Sequence, residues 1–375
     1  MTMSNRGGRW RRLLIIPLLL SLLAAACGST TDEGSSPAGL TEGPIKVAFV
    51  YVGPVGDAGW TRRHDEGRKE LEAAMGAKVI TTYVENVPEG DEAEEVFERL
   101  AAEGNKVIFG TSFGYGDPML AVAARHPETV FMHATGYQTA ENMGTYFGAA
   151  EEARYLSGMA AGAMTKSGVI GYVAAFPIPE VLRGIDAFTL GAQRVNPDVT
   201  VRVEWTSTWF DPVKEKSVAQ DLIDGGADVM AQHQDTPSTG EAAQAAGGYW
   251  VGYNDDLSRF APKAWLTGPV WDWGPFYIST VQQVIDGTWK SEQYYGNMAD
   301  GLVTLAPVSS SVPVDVQAEI GEVQKQIVDG TFAPFTGPIT RQDGTQVLAA
   351  GEVADLGQLL SLDYFVQGVE GTIES

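Results

Sequence analysis

The chain has 375 residues, of which 25 are Lys or Arg and 48 are Asp or Glu, giving a formal net charge of −23. This acidic balance argues against nucleic acid as the main partner, since phosphate binding depends on clustered cations. A single Cys excludes an intramolecular disulfide and any site built from several thiolates. The length predicts two or three compact domains with a large buried core.

The N-terminus has the features of an export signal. Four Arg lie within residues 1–12, fourteen uncharged and mostly apolar residues follow, and the stretch ends at Cys27. This pattern is typical of a secretory signal peptide and is too short for a transmembrane helix. Ala24-Ala25-Ala26-Cys27 resembles a bacterial lipobox, although an ordinary signal peptide with an incidental Cys27 remains the alternative. We expect cleavage after residue 26, lipidation of Cys27 and a flexible tether over 27–44.

Removing the signal also changes the charge of the chain. The four Arg leave with it and no acid does, so that 21 basic residues face 48 acidic ones and the net charge becomes −27. We therefore expect an exported protein, anchored by lipid on the outer face of the bacterial cytoplasmic membrane or held in the periplasm.

From residue 45 onward, apolar runs rich in β-branched residues alternate with helical patterns. The first series has strands at 45–52, 78–86, 106–113, 130–136 and 142–148, with helices at 60–76, 89–104, 117–127 and 151–164. The second has strands at 168–176, 199–208, 228–233, 249–254 and 264–270, with helices at 179–195, 211–226, 237–247 and 274–287. Such alternation predicts an α/β fold with parallel sheets flanked by helices.

Two series predict two lobes with a ligand cleft between them. We place lobe 1 at 45–165 plus about 271–300, and lobe 2 at 166–270 plus about 301–375. Asp343-Gly344 predicts a hairpin turn, and 291–301 is interpreted as a loop at the lobe edge.

Aromatic and carboxylate or carboxamide side chains follow many of these strands. Parallel sheets bind ligands beyond the carboxyl ends of their strands, so these side chains are expected to converge. The candidate ligand-binding residues are Asp57, Trp60, Phe113, Tyr115, Phe176, Glu180, Trp209, Asp235, Asn254, Trp271 and Trp273. Rings can sandwich a flat heteroaromatic ligand while the polar groups pair with its edge, whereas a phosphorylated ligand would need cations. Phe113, Phe176 and Trp209 could instead be core residues, and Asp211 before Pro212 is better read as a helix cap.

Motifs for catalysis and metal binding are not found. The sequence has no GxSxG, HExxH or P-loop motif, and its four His show no metal-ligand spacing. His64 and His126 are expected on helix surfaces, and His133 and His233 in buried strand positions. We therefore expect neither a catalytic residue, a metal nor a cofactor. A secreted nucleoside hydrolase remains the enzymatic alternative.

Several motifs together resemble the basic membrane protein family, the purine-nucleoside-receptor-like lipoproteins of ATP-binding-cassette (ABC) importers. They are GDAGWT (56–61), TSFGY (111–115), FPIPEVLRGIDAFTLGA (176–192), WFDPVKE (209–215), GADVMAQHQDTP (226–237), WDWGPFY (271–277) and DGTWKSE (286–292). The resemblance extends over 45–370 and implies a type I periplasmic-binding-protein fold. It also implies a purine base or nucleoside as ligand, an ABC permease as partner, and a monomer.

The same resemblance implies roles for individual residues. Asp57 would pair with the base edge, Trp60 and Phe176 would cover its two faces, and Glu180 would lie close by. Nucleoside-binding members hold the ribose with an Asp and a Lys, for which this sequence has Asn254 and Trp271. These departures favour a free base, with adenine as first choice, over an intact nucleoside. A ligand sensor for a membrane signalling protein is the remaining alternative.

Overall fold

The computed structural model describes residues 43–373, so the predicted signal peptide, Cys27 and most of the tether lie outside the described residues. Its strands are, in chain order, β1 (Ile45–Val50), β2 (Val79–Val84), β3 (Val107–Gly110), β4 (Val130–Ala134), β5 (Met143–Gly148), β6 (Val169–Ala174), β7 (Thr200–Trp205), β8 (Val229–His233), β9 (Tyr249–Val251), β10 (Trp265–Thr267), β11 (Pro269–Trp271), β12 (Gln293–Gly296), β13 (Val303–Leu305), β14 (Ile339–Thr340), β15 (Gln346–Leu348) and β16 (Val369–Glu370).

Its α-helices are α1 (Trp60–Met75), α2 (Asp91–Ala102), α3 (Gly116–Ala123), α4 (Ala150–Met164), α5 (Pro179–Val195), α6 (Pro212–Asp224), α7 (Ser238–Ala246), α8 (Gly274–Ile285), α9 (Val314–Val328) and α10 (Leu356–Leu360). Short 3₁₀ turns lie at Gly76–Lys78 and Phe113–Tyr115.

Two six-stranded parallel sheets form the framework. The first sheet has the order β12-β5-β4-β3-β1-β2 and the second the order β10-β9-β8-β6-β7-β16. Their inner strands are buried along nearly their whole length, as expected where helices cover both faces of a sheet. The two remaining pairs, β11 with β13 and β14 with β15, are short and antiparallel. The predicted α/β architecture with two parallel sheets is confirmed.

Each sheet takes an edge strand from a distant part of the chain. β12 pairs in parallel with β5, and β16 pairs in parallel with β7. The interpretation of 291–301 as a loop was therefore wrong, because residues 293–296 complete the first sheet. The turn at Asp343-Gly344 does join β14 to β15, and Gly344 has a positive φ of 89°.

Local sequence signals explain several helix starts. Asp211 caps α6 by accepting hydrogen bonds from the backbone N–H groups of Val213 and Lys214, and Pro212 occupies the first helical turn. Helix α5 likewise begins with Pro179. These are the positions at which a cap acceptor and a residue lacking an N–H donor are favoured, and the reading of Asp211 as a helix cap is confirmed.

Candidate functional site

A cavity of about 330 Å³ lies between the two sheets. It is bordered by loops that follow the carboxyl ends of strands, as expected for open parallel sheets. The first sheet and its loops contribute Val52, Trp60, Ser112, Phe113 and Thr135. The second sheet and its loops contribute Glu180, Trp209, His233, Asp235 and Tyr253. Residues from both sheets contribute equally to its wall.

Four aromatic rings and an imidazole give this cavity its apolar surface. Trp60 is held in place because its indole Nε1 donates to the carbonyl of Thr111 at 2.7 Å. Trp209 packs edge-on against Phe176, with ring centroids 5.0 Å apart, and the rings of His233 and Tyr253 lie 4.3 Å apart. Neighbouring residues therefore restrict the rings of Trp60, Trp209, His233 and Tyr253. A ring restricted in this way loses little rotamer freedom when it stacks on a flat ligand.

Several polar atoms of the same wall have no hydrogen-bond partner among residues 43–373. They are Thr135 Oγ1, Glu180 Oε2, Trp209 Nε1, His233 Nδ1 and the Tyr253 hydroxyl. Buried polar atoms are rarely left unpaired, because each costs roughly 1–3 kcal/mol of desolvation. A ligand that offers both acceptors and donors at its edges would satisfy them.

Glu180 and His233 form the main titratable pair in the cavity. Glu180 Oε1 lies 3.3 Å from His233 Nε2. Burial raises the pKa of Glu180 to about 7, against the opposing effect of the Arg183 and Arg154 guanidinium groups. Burial lowers the pKa of His233 well below its usual range, and the same two cations lower it further. His233 is therefore a neutral imidazole near pH 7, and Glu180 binds a proton more readily than an exposed carboxylate does.

Asp235 is positioned by Asn254. The Asn254 side-chain amide donates to Asp235 Oδ1 at 3.0 Å, and its carbonyl oxygen accepts from Trp271 Nε1 at 2.9 Å. Burial raises the pKa of Asp235 well above its usual range, and the neighbouring Asp57 and Glu215 carboxylates raise it further. A carboxyl group that binds its proton this strongly can offer a ligand a hydrogen-bond donor as well as an acceptor.

The structure separates the eleven predicted site residues into two groups. Trp60, Phe113, Glu180, Trp209 and Asp235 border the cavity. The remaining six do not border this cavity; they are Asp57, Tyr115, Phe176, Asn254, Trp271 and Trp273. Two of these six contact residues of the cavity wall: Asn254 donates a hydrogen bond to Asp235, and Phe176 packs against Trp209.

Asp57 stabilises the loop that precedes helix α1. Its carboxylate accepts hydrogen bonds from the backbone N–H groups of Gly59, Thr61 and Arg62 at 2.7–3.0 Å. It thereby fixes the loop from which Trp60 begins helix α1. Burial raises the pKa of Asp57 to about 6, and the three backbone hydrogen bonds oppose this shift.

The other residues outside the cavity belong to the core. The Tyr115 hydroxyl donates to the carbonyl of Val87 at 2.6 Å, within a cluster under the first sheet. Trp271 and Trp273 stack on each other at 4.8 Å, and His64 stacks on Trp273 at 4.7 Å. His64 is fully buried, so its expected surface position was wrong. These large rings pack against one another instead of lining the cavity.

Sequence reasoning missed five residues of the cavity wall as ligand contacts. They are Val52, Ser112, Thr135, His233 and Tyr253. Each is the last or second-last residue of a predicted strand, so position within the strand was the available signal. His233 was predicted to be buried, which is confirmed, but not to border the ligand cavity.

A second, larger cavity of about 770 Å³ adjoins the first and shares Phe113, Thr135 and Glu180 with it. Its wall is rich in tyrosine. The tyrosines bordering it are Tyr137, Tyr146, Tyr294 and Tyr295. Arg183 also borders it and forms an ion pair with Glu151 at 3.2 Å. The space between the sheets therefore continues beyond the smaller cavity.

Among residues 43–373, no group of three or more His, Cys, Asp or Glu side chains is arranged to hold a metal ion. In the same range, every helix is too short or too polar to cross a bilayer.

Comparison with known proteins places the chain in a family. A family model described as "ABC transporter substrate-binding protein PnrA-like" matches residues 45–334. A purine-binding protein of Brucella abortus is 47% identical over 88% of this chain and 94% of its own. A putative ABC transporter glucose-binding protein of Haloferax volcanii, TsgA13, is 40% identical over 92% of this chain and 85% of its own.

Solved structures agree on the fold. An ABC transporter solute-binding protein from Aeropyrum pernix K1 superposes with a TM-score of 0.68 at 17% identity, covering 80% of this chain and 93% of that one. The expected type I periplasmic solute-binding fold is thus confirmed. The chain belongs to the PnrA-like family of ABC transporter substrate-binding proteins.

Proposed function

We propose that this substrate-binding protein captures a purine, with free adenine as the favoured ligand, between its two lobes. The observation that carries the proposal is the cavity wall, in which aromatic rings alternate with buried polar atoms that have no partner among residues 43–373. A purine has two apolar faces for the rings and an edge of donors and acceptors for the polar atoms. The Brucella relative, named a purine-binding protein, supports the same ligand class.

Free base is preferred over nucleoside because of the wall's composition. Among residues 43–373, no Lys or Arg borders the smaller cavity. The residues at the two positions where ribose-binding groups were expected, Asn254 and Trp271, are hydrogen-bonded to each other. Adenine also matches the carboxyl groups, since its exocyclic amine can donate to Glu180 while Trp209 Nε1–H meets a ring nitrogen.

A nucleoside is the second candidate, and the adjoining cavity favours it. The space of about 770 Å³ adjoins the smaller cavity at Phe113, Thr135 and Glu180, which border both. A ligand with a sugar attached to the base could occupy both spaces. The glucose-binding name of the Haloferax relative makes a free sugar a necessary comparison in the same measurements.

The proposal includes the organisation and location of the protein. The lobes are residues 45–165 with about 271–300, and 166–270 with about 301–375, and the pairing of β12 and β16 with distant strands supports this division. We propose that the protein is a monomer, exported by its signal peptide and anchored through a lipid on Cys27. From there it would deliver its ligand to an ABC permease.

Isothermal titration of the purified protein tests the ligand. Adenine, guanine, hypoxanthine, adenosine and glucose are compared, and adenine is expected to bind most tightly. Trp209→Ala should weaken adenine binding by roughly 5–150-fold, since stacking of a base on an aromatic ring contributes about 1–3 kcal/mol. Trp289→Ala, a half-buried Trp away from the cavity, is the matched control and should bind like the wild type.

Three results would contradict the proposal. Adenosine binding more tightly than every free base would favour the nucleoside, and glucose binding alone would reject a purine. Conversion of nucleosides to free bases, followed by chromatography, would reveal an enzyme. A ligand sensor is tested separately, because uptake of labelled adenine by cells should fall when the gene is deleted only if the protein serves a transporter.

A further inference from the structure

Thr135 has a backbone conformation that its side chain disfavours. It directly follows β4 and has a φ of 63°, in the left-handed region. Threonine is β-branched, and such residues are outliers at positive φ. The next residue is Gly136, for which this conformation would be easy. A threonine at this position therefore suggests that its side chain is needed there.

The backbone of Thr135 is fixed by the first sheet, but its hydroxyl group is not engaged. Its N–H donates to the carbonyl of Tyr146 at 2.9 Å, which extends the pairing of β4 with β5. Its Oγ1 is buried and has no hydrogen-bond partner among residues 43–373. The sheet thus holds the residue in place without satisfying the hydroxyl.

The position of Thr135 would allow its hydroxyl group to form a hydrogen bond with a bound ligand. The residue borders both cavities, together with Phe113 and Glu180. It contributes a polar atom from the end of the first sheet to a wall that Glu180 and Tyr253 also border. A ligand in the smaller cavity would lie between these groups.

We propose that Thr135 is a specificity-determining ligand contact whose hydroxyl hydrogen-bonds the edge of the bound purine at the junction of the two cavities. This inference rests on the proposed function, since it takes a purine as the ligand. The strained conformation is then the means by which the sheet aims this hydroxyl at the ligand, and strain of this kind is concentrated at binding sites.

Three substitutions separate the hydroxyl from the rest of the side chain. Thr135→Val keeps the shape and removes the hydroxyl, Thr135→Ser keeps the hydroxyl, and Thr135→Gly removes the side chain and relieves the backbone. Each is titrated with adenine, and its thermal unfolding is followed without ligand. Thr135→Val and Thr135→Gly should bind about tenfold more weakly, the effect of one lost hydrogen bond, while Thr135→Ser stays within about threefold of the wild type.

The unfolding measurement distinguishes the loss of a ligand contact from a loss of binding caused by destabilisation of the fold. Thr135→Gly should unfold at the same temperature as the wild type or higher, because the left-handed conformation suits glycine. Wild-type affinity in Thr135→Val, or equal losses in Thr135→Val and Thr135→Ser, would overturn the inference while leaving the proposed function standing. If the wild type binds no purine, the proposed function and this inference both fail.

Discussion

Helices α4 and α5 pack so closely that their backbones touch, and glycines make this possible. A Cβ atom added to Gly158 would lie 2.0 Å from the carbonyl oxygen of Phe188, and one added to Gly191 would lie 1.9 Å from that of Tyr155. Both neighbours are main-chain atoms, which cannot rotate away as a flexible side chain could. Space for a methyl group would have to come from separating the two helices.

We predict that Gly158→Ala destabilises the protein by about 2 kcal/mol. Alanine gains about 1 kcal/mol over glycine from helix propensity alone. Overpacking a buried contact costs about 1–3 kcal/mol, and a clash with backbone at 2.0 Å puts this site at the upper end of that range or above it. The clash therefore outweighs the propensity gain.

Gly321 in α9 is the matched control. It is an exposed helical glycine, and a Cβ added there would meet nothing within 4 Å. Gly321→Ala should stabilise the protein by about 1 kcal/mol, so the same substitution has opposite signs in the two helices. Urea unfolding followed by circular dichroism measures both. If Gly158→Ala is as stable as Gly321→Ala, the close approach of α4 and α5 is refuted.

Three further predictions concern single side chains. Burial raises the pKa of Glu180 to about 7, so ionising this carboxyl group costs stability as the pH rises from about 4.5 to 7. The unfolding free energy of Glu180→Gln relative to the wild type should therefore increase over this window, by up to about 3 kcal/mol, and a difference that stays constant with pH would contradict the prediction. Asp211→Ala should cost about 1 kcal/mol in urea unfolding, because two N–H groups of α6 lose their acceptor, and Asp211→Asn should retain most of that stability. Cys27→Ser should abolish incorporation of labelled fatty acid and release the protein from the membrane fraction; continued labelling would contradict lipidation at Cys27.

Local patterns were enough to predict much of the fold. The helix expected at 179–195 coincides with α5, because its apolar spacing and its N-terminal Pro179 are both local signals. The inner strands were recognisable since a parallel strand covered on both faces must be apolar throughout. The series of alternating elements then implied the two sheets, whereas the edge strands β12 and β16 were not predicted.

What could not be predicted depends on contacts between distant residues. β12 contains Gln293 and two tyrosines, and it becomes a strand only by pairing with β5. Trp271 and Trp273 were predicted as ligand-binding residues because they follow a predicted strand, and the stacking of their rings on each other could not be foreseen. The sequence marked Thr135 only by its place near the end of a predicted strand. Its proposed importance comes from a backbone angle and from a hydroxyl group with no partner among residues 43–373.

Strand β12 is synthesised long after its partner β5, and this order affects how the chain can fold during synthesis. β5 ends at Gly148 and is buried at every position, yet the strand that covers its edge begins only at Gln293. At about 5–20 residues per second, synthesis of the intervening chain takes roughly 7–30 s. During that time an apolar strand edge able to pair with other chains would be open if the first sheet had already formed. A nascent chain of this kind therefore benefits from a chaperone, or from delayed folding, until residue 296 has emerged.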